Sequence, residues 1–473
     1  MSLPVITVAQ MREWEQATWA AGQTEGEVIR RVGQAVAQRA LRLTQPGELI
    51  LLLAGNGHNG DDVRAAQPYL ADRRCELLEI TSPANDLVRL TDALARQPAL
   101  VVDGLFGIGL SRALDADWIQ LINTLNAAHR PGLAVDVPSG LDADTGDNFG
   151  AVVRAEVTLT VGAPKCGLLR PAALECVGRL EVADDVGLAP CPCVSDLRWV
   201  VPSDFAGLPP RRAVDAHKGA FGHLLIVAGS PGYHGAAVLA TRAAQRAQPG
   251  LVTLQAHQEV YHPIAAQLQS AMVMIWRDEL AHTPVSSSAV LIGPGLAARE
   301  LPADMQLFAR KLWRDAQCPL IVDASALDWL VLGNVPKHVI RVMTPHPGEA
   351  ARLLKSTPQQ VQADRVRALR EISSRFGNVW VVLKGQQTLI GRSEGEILVN
   401  SSGNPHLAQG GSGDVLAGFI AGLLAQPEWQ ANPPRTLAYA VWQHGAAADA
   451  LQSRRTNWMV EDLVNEIGNV RVE

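Results

Sequence analysis

Short apolar runs recur along this chain, each ending abruptly at a glycine or an acid, with helical stretches between them. Residues 49–54 run into Gly55-Asn56-Gly57-His58-Asn59-Gly60-Asp61-Asp62, residues 100–102 into Asp103-Gly104, and residues 133–135 into Asp136-Val137-Pro138-Ser139. Continuous rather than alternating apolar character belongs to strands buried on both faces, as in a parallel sheet. Residues 157–161 add a further strand. Thr7 caps a helical stretch over 8–19, and small and apolar residues spaced by three and four mark 27–43 as a second packing helix. The pattern breaks at Cys191-Pro192-Cys193, Pro202 and Pro209-Pro210, which places a linker near residues 190–215. It then restarts. Runs at 224–228, 289–292, 320–322, 341–343 and 379–383 end in Gly229-Ser230, Gly293-Pro294-Gly295, Asp323-Ala324, Thr344-Pro345-His346 and Lys384-Gly385, with helices predicted over 235–248, 350–355 and 359–376. The fold class is therefore α/β: two layered α/β domains, residues 1–200 and 206–473, each with its own sheet.

Composition narrows what these domains do. A chain of 473 residues, 47% hydrophobic, can bury two or three cores at about 150 residues each. Its net charge of −6 and lack of a basic block argue against a nucleic acid polymer as partner. No apolar run reaches the ~20 residues of a membrane span, and the first six residues lack the basic patch and apolar core of a signal peptide. A cytoplasmic protein without a membrane partner is expected. The six cysteines form no Cys-x-x-Cys pair, so reduced thiols are expected rather than a zinc site or disulfide framework.

Candidate chemistry concentrates in one run, Gly410-Gly411-Ser412-Gly413-Asp414, which leads into an apolar helix over 415–424. Glycines let N–H groups crowd together, and a helix start adds its positive dipole end, so the run is an anion hole. Asp414 at its mouth would take a proton from an attacking hydroxyl or cap the helix, and the two roles are compatible. Lys384-Gly385-Gln386-Gln387-Thr388 follows a buried strand with backbone donors, a hydroxyl and an ammonium suited to phosphate. His346, between two prolines, suits a substrate contact or a structural hydrogen bond; Glu349 reads as a helix cap. In the first half, ligands of an open parallel sheet sit outside the strands' carboxyl ends, where Asn59, Asp103, Asp136 and Ser139 converge. Oxygen donors there point to a hard cation or a polar ribose and phosphate site, against the plainer reading that they satisfy turns.

Taken together, the motifs resemble a known family. Gly410-Gly411-Ser412-Gly413-Asp414-Val415-Leu416-Ala417-Gly418, Thr344-Pro345-His346-Pro347-Gly348-Glu349-Ala350, Val382-Leu383-Lys384-Gly385, Ile292-Gly293-Pro294-Gly295-Leu296 and His217-Lys218-Gly219 with Gly222 resemble the ribokinase-like NAD(P)H-hydrate dehydratase domain. Val101-Val102-Asp103-Gly104-Leu105-Phe106-Gly107, Gly109-Leu110 and Val135-Asp136-Val137-Pro138-Ser139-Gly140-Leu141 are similar to the Rossmann-like NAD(P)HX epimerase domain to which it is fused in many bacteria. The resemblance spans nearly the whole chain in the expected order.

The resemblance implies a metabolite-repair enzyme whose small-molecule substrates are hydrated NADH and NADPH. The N-terminal domain would epimerise R and S hydrates, and the C-terminal domain would dehydrate the S form with ADP (or ATP) and magnesium. Asp414 would be the catalytic base. Lys384, Gly385, Gln386, Gln387, Thr388, Gly410, Gly411 and Gly413 would contact the nucleotide; His346, Gly293 and Gly295 would contact the hydrate. In the first domain Asn59, Asp103 and Ser139 would coordinate potassium. Asp136, the turn His58, Asn59, Gly60, Asp61 and Asp62, and the loop Gly107, Ile108, Gly109, Leu110, Ser111, Arg112 and Ala113 would surround the substrate. A homo-oligomer is expected. Where the family usually has Asn-Asn-Gly-Gly-Asp-Gly, this chain has His58-Asn59-Gly60-Asp61-Asp62-Val63, so two positions that favour close backbone approach carry side chains. The alternative is a ribokinase-like small-molecule kinase with a non-catalytic N-terminal binding module, since the same glycine run and aspartate would serve net phosphoryl transfer.

Overall fold

The leucine-rich run Leu49–Ala54 forms the first strand (β1) of an N-terminal sheet completed by β2 (Arg74–Glu79), β3 (Leu100–Gly104), β4 (Gly132–Val135), β5 (Val157–Val161) and β6 (Arg179–Ala183). The structure, a computed structural model, describes residues 2–277, 287–333 and 335–472. It divides into two compact units between Asp196 and Leu197, inside the stretch where the sequence pattern breaks. The N-terminal strands lie side by side in the order β2-β1-β3-β4-β5-β6, all parallel. Alternate residues of β1 serve opposite cores. Ile50, Leu52 and Ala54 pack with Val32 and Val36 of the helix Glu25–Leu43, whereas Leu51 and Leu53 pack with Leu90, Leu121 and Ile122 of the helices Pro83–Ala95 and Ala116–Ala127. Burying each of the leucine, isoleucine and valine side chains contributes roughly 1.5–3 kcal/mol, which is why no polar residue interrupts the run. The chain passes from β1 to β2 on one side and returns to β3 on the other. The carboxyl ends of β1 and β3 therefore part around a crevice, the usual ligand position in such a sheet.

The C-terminal unit repeats the logic with β7 (Leu197–Trp199), β8 (His223–Val227), β9 (Leu251–Ala256), β10 (Met272–Ile275), β11 (Ala289–Ile292), β12 (Leu320–Val322), β13 (Arg341–Met343), β14 (Trp380–Leu383), β15 (Leu389–Gly391) and β16 (Ile397–Val399). Their order is β7-β16-β15-β14-β13-β12-β11-β8-β9-β10, with β15 antiparallel to both neighbours and the other pairs parallel. Strand order reverses between β8 and β11. The turn Gly293-Pro294-Gly295 sits at that switch point. Gly293 has φ +129, and a Cβ there would lie 1.8 Å from the Asp323 carbonyl oxygen, so the turn admits only glycine.

The helix Ser412–Leu424 is buried on every side from Val415 to Leu424, as its uniformly apolar sequence requires. It lies against the helix His234–Arg246 at a distance that side chains would forbid: a Cβ on Gly418 would meet the Ala240 carbonyl oxygen at 2.1 Å. Gly418→Ala is thus expected to destabilise the C-terminal unit by about 1–3 kcal/mol through overpacking, read as a lower urea midpoint with an unchanged m-value.

Several boundaries differ from the sequence pattern for local reasons. The glycine turn is shorter than its composition implies, because Gly57 is an extended N-cap and the helix His58–Ala66 starts at His58. His58 to Asp62 therefore belong to that helix. The stretch 359–376 is two helices, Pro358–Ala363 and Arg365–Arg375. Asp364 leaves helical geometry between them, and its carboxylate caps the second by accepting the Arg367 N–H at 3.0 Å. The predicted helix over 350–355 begins at Pro347 and ends at Leu354. All six cysteines are free thiols, and among the described residues no helix is long and apolar enough to cross a membrane.

Candidate active sites

Three neighbouring strands of the C-terminal unit deliver their carboxyl ends to the start of the helix Ser412–Leu424. Asp323 follows β12, Thr344 to His346 follow β13, and Lys384 follows β14. The Lys384 ammonium donates to Asp323 Oδ1 at 2.7 Å, lies 3.8 Å from Glu349 Oε2, and sits against the backbone of Gly413, where an added Cβ would be 3.2 Å from its Nζ. Thr344 Oγ1 donates to the same Asp323 oxygen at 2.6 Å. Burial alone would push the Lys384 ammonium down, but Asp323 and Glu349 more than offset it and hold it above its ordinary value.

Asp414 is the third residue of this helix, whose N-cap is Gly411, and among the described residues no side chain caps the helix start. Among the described residues its carboxylate accepts no capping hydrogen bond. Burial and the negative charges of Asp323 and Glu349 raise the Asp414 carboxyl to about 7, with Lys384 opposing. A carboxylate poised there gains or loses a proton at working pH, as a general base must. Glu349 does cap its helix, accepting the His346 N–H at 2.8 Å, while His346 Nδ1 accepts from Gly348 N–H at 3.0 Å. His346 thereby presents a half-exposed ring.

Two supporting residues escape the sequence. The Arg365 guanidinium donates to the carbonyls of Leu383 (3.0 Å), Lys384 (3.4 Å), Gln387 (3.4 Å) and Gln386, tying down the loop Lys384 to Thr388; burial lowers it to about 10. Thr388 Oγ1 donates to the Gly385 carbonyl at 2.9 Å, and so stiffens the loop instead of facing outward. His444, from the helix Pro433–Gln452, places Nε2 3.0 Å from the Ser412 carbonyl oxygen, and burial lowers it to about 4, so it stays neutral beneath the glycine run. Gly410 has open space beside it.

In the N-terminal unit a cavity of about 650 Å³ opens at the β1/β3 crevice. Of the residues expected there, His58, Asn59, Asp62, Gly107, Ile108, Gly109, Leu110, Ser111, Arg112 and Asp136 line it. Gly60, Asp61 and Ala113 do not. Gly60 packs on the Gly55 carbonyl, and Asp61 turns outward to pair with Arg64 at 2.9 Å. The unusual Asp61 is thus not part of the cavity wall. Asp103 and Ser139 lie beneath the lining in one buried network. Ser139 Oγ donates to Asp103 Oδ1 at 2.6 Å and accepts from Phe106 N–H at 2.8 Å; Ser139 N–H donates to Asp103 Oδ2 at 2.9 Å; Asn59 Nδ2 donates to the Phe106 carbonyl at 2.9 Å. Burial raises Asp103, with the Ser139 bonds opposing. Asn59 Oδ1 is buried and has no hydrogen-bond partner among the described residues.

Asp136 has φ +63, a strained value for a non-glycine residue. Its Oδ1 accepts from the fully buried Lys165 ammonium at 2.5 Å, from Val161 N–H at 3.1 Å and from Thr160 Oγ1 at 3.2 Å. Lys165 is a third residue the sequence pattern did not single out.

Each unit thus carries a polar site at the carboxyl ends of its strands, and the C-terminal unit is a ribokinase-like α/β fold. A ribokinase-like superfamily protein from Enterococcus faecalis superposes on it with a TM-score of 0.50 at 28% identity, covering 59% of this chain and 96% of that one. The family described as NAD(P)H-hydrate dehydratase matches residues 224–469, and the family described as the YjeF-related protein N-terminus matches residues 71–167. The chain is 35% identical to the bifunctional NAD(P)H-hydrate repair enzyme of Gloeobacter violaceus over 96% of its length and 94% of the relative's. It is 33% identical to that of Escherichia coli over 92% and 86%. The chain belongs to the bifunctional NAD(P)H-hydrate repair enzymes, which join a dehydratase to an epimerase.

Proposed function

We propose that the C-terminal unit restores NADH and NADPH by moving a phosphoryl group from ADP (or ATP) to the S hydrate's ring hydroxyl and then expelling it, with Asp414 as the base. The observation that carries this is Asp414 itself: raised to about 7, free of any capping bond, and set at a helix start beside Lys384. A hydroxyl leaves poorly, so the Asp414 carboxylate takes its proton as the new O–P bond forms and the phosphoanhydride bond breaks, releasing AMP when ADP is the donor. The ring nitrogen's lone pair then expels phosphate, and loss of the neighbouring ring proton restores the double bond. The N–H groups of Gly411 and Gly413 meet the charge that builds on the phosphoryl oxygens. The loop Lys384 to Thr388, held by Arg365, positions the nucleotide, and His346 and the Gly293–Gly295 turn face the hydrate. Magnesium fits as an ion carried by the nucleotide's phosphates with Asp323 and Glu349 nearby, since the described residues build no cluster of three or more His, Cys, Asp or Glu. It would neutralise phosphate charge. Incubating the chain with S hydrate and ADP should release one AMP and one phosphate per NADH restored. Accumulation of a phosphorylated hydrate instead is the kinase outcome and would sink the proposal.

In the N-terminal unit the orphaned Asn59 Oδ1, beside Asp103 and Ser139, fits a weakly hydrated monovalent cation such as potassium, which takes oxygen donors. It would hold the substrate loop after β3 against the helix His58–Ala66. Replacing KCl by tetramethylammonium chloride at equal ionic strength is expected to lower the unit's melting temperature by a few degrees. Asn59→Ala should melt alike in both salts. For assembly we favour a homo-oligomer, supported by the edge strand β10, which leaves Met272 and Met274 45% and 48% exposed.

A further inference from the structure

The helix Val8–Ala20 reads in the sequence as a packing helix, and one stripe of it is: Met11, Trp14 and Thr18 are buried. A second stripe, Met11, Arg12, Glu15 and Trp19, at spacings of three and four, forms one wall of the N-terminal cavity. Glu15 stands in the middle of that wall, half-buried, facing a space shared with Asp62 and Asp136. Among the described residues nothing hydrogen-bonds its carboxyl, in contrast to Asp136, whose Oδ1 is occupied by three donors. A carboxyl without structural work, set in a cavity wall beside apolar and aromatic surface, is placed to act on a ligand.

We propose that Glu15 is the proton donor and acceptor at the hydrate's hydroxyl in the epimerase reaction, which rests on the reading of this unit as the hydrate epimerase. The hydroxyl-bearing ring carbon is bonded to the ring nitrogen. Glu15 protonates the hydroxyl, the C–O bond breaks, water leaves, and the nitrogen lone pair forms a C=N bond. Water then adds to the opposite face and its proton returns to the Glu15 carboxylate, so the step is balanced and needs no redox partner. Burial, then the Asp136 charge, hold the Glu15 carboxyl above its ordinary value, against the pull of Lys165, His58 and Arg12. Asp62, on the same cavity, is raised still further by burial, by Asp136 and Asp61, and by Glu15 itself. Glu15 therefore holds its proton to a higher pH than an ordinary glutamate does, the direction a general acid needs.

The test uses the full chain with purified R hydrate, excess ADP and the appearance of NADH as readout; S hydrate, consumed by the other unit, reports an intact chain. Glu15→Gln is expected to slow recovery from R hydrate about 100-fold or more, toward the rate without enzyme. Glu15→Asp should restore part of it. Wild-type recovery from R hydrate should decline as pH rises through the Glu15 titration, and that decline should vanish in Glu15→Gln, which a merely structural role would not produce. Wild-type recovery from R hydrate by Glu15→Gln overturns the assignment and leaves the epimerase reading standing. No acceleration by the wild type overturns the epimerase reading itself. If Glu15→Gln lowers the unit's melting temperature, loss of the pH-dependent decline in Glu15→Asp as well would count against the acid role.

Discussion

Asp414→Asn should lower kcat for dehydration by about 10²–10⁴-fold, the range of a general base, while nucleotide binding survives. Asparagine keeps the volume and the helix, because no capping bond depends on the carboxylate. What it removes is the group that accepts the hydroxyl proton. The wild-type kcat/KM profile should rise with pH through about 7, where burial together with Asp323 and Glu349 places the Asp414 titration. The stability consequence has the opposite sign. With its folded value raised above the ordinary value near 4, ionised Asp414 disfavours the folded state at high pH. The variant should therefore melt higher than the wild type at pH 8, and the gain should fade as pH falls through 7 and be gone below 4. Differential scanning calorimetry across that range checks the sign. An equal melting temperature at every pH would mean that the carboxylate is better solvated than the geometry shows.

Lys165→Met is expected to be the most damaging single change in the N-terminal unit. Lys165 is fully buried, and its ammonium serves Asp136 Oδ1 (2.5 Å), Thr160 Oγ1 (3.0 Å) and the Val161 carbonyl (2.8 Å). Breaking a buried pair strands its partner, at a cost of about 3–5 kcal/mol, whereas replacing both members with neutral groups costs less. Lys165→Met should thus strongly lower the urea midpoint for unfolding of the N-terminal unit, and adding Asp136→Asn should return part of it. If the double variant is no better than the single, Lys165 acts through packing of its stem. Because Asp136 lines the cavity at a strained φ, recovery from R hydrate should fall in both variants.

The sheets were legible in the sequence because burial on both faces leaves an unbroken apolar run with a sharp end, and β1, β3, β8 and β11 fall where that pattern puts them. The glycine run was legible for a related reason: crowded glycines before an apolar stretch have few structural uses. Its aspartate was ambiguous, because the third position of a helix suits a cap and a catalytic base alike, and only the missing capping bond separates them. Lys165, Arg365 and Glu15 were not legible. Each is one charged residue in a helix or loop, with no periodicity to mark it, and its burial comes from what distant segments place around it. The helix Val8–Ala20 shows the limit best, since residues 11, 14 and 18 give the packing stripe while the charged residues 12 and 15 carry no pattern that points to a cavity. The loop at 58–62 misled in the other direction. Its composition reads as a turn, but Gly57 starts a helix there, and the unfamiliar Asp61 points to Arg64 and away from the cavity.

The most direct measurement of the central claim is the time course of NADH absorbance when a mixture of R and S hydrates meets the chain and excess ADP. Two sites in one chain predict complete recovery in two phases, the S form first and the R form at the epimerase rate, with both phases absent in Asp414→Asn. Recovery without added nucleotide, or undiminished recovery in Asp414→Asn, would contradict the account.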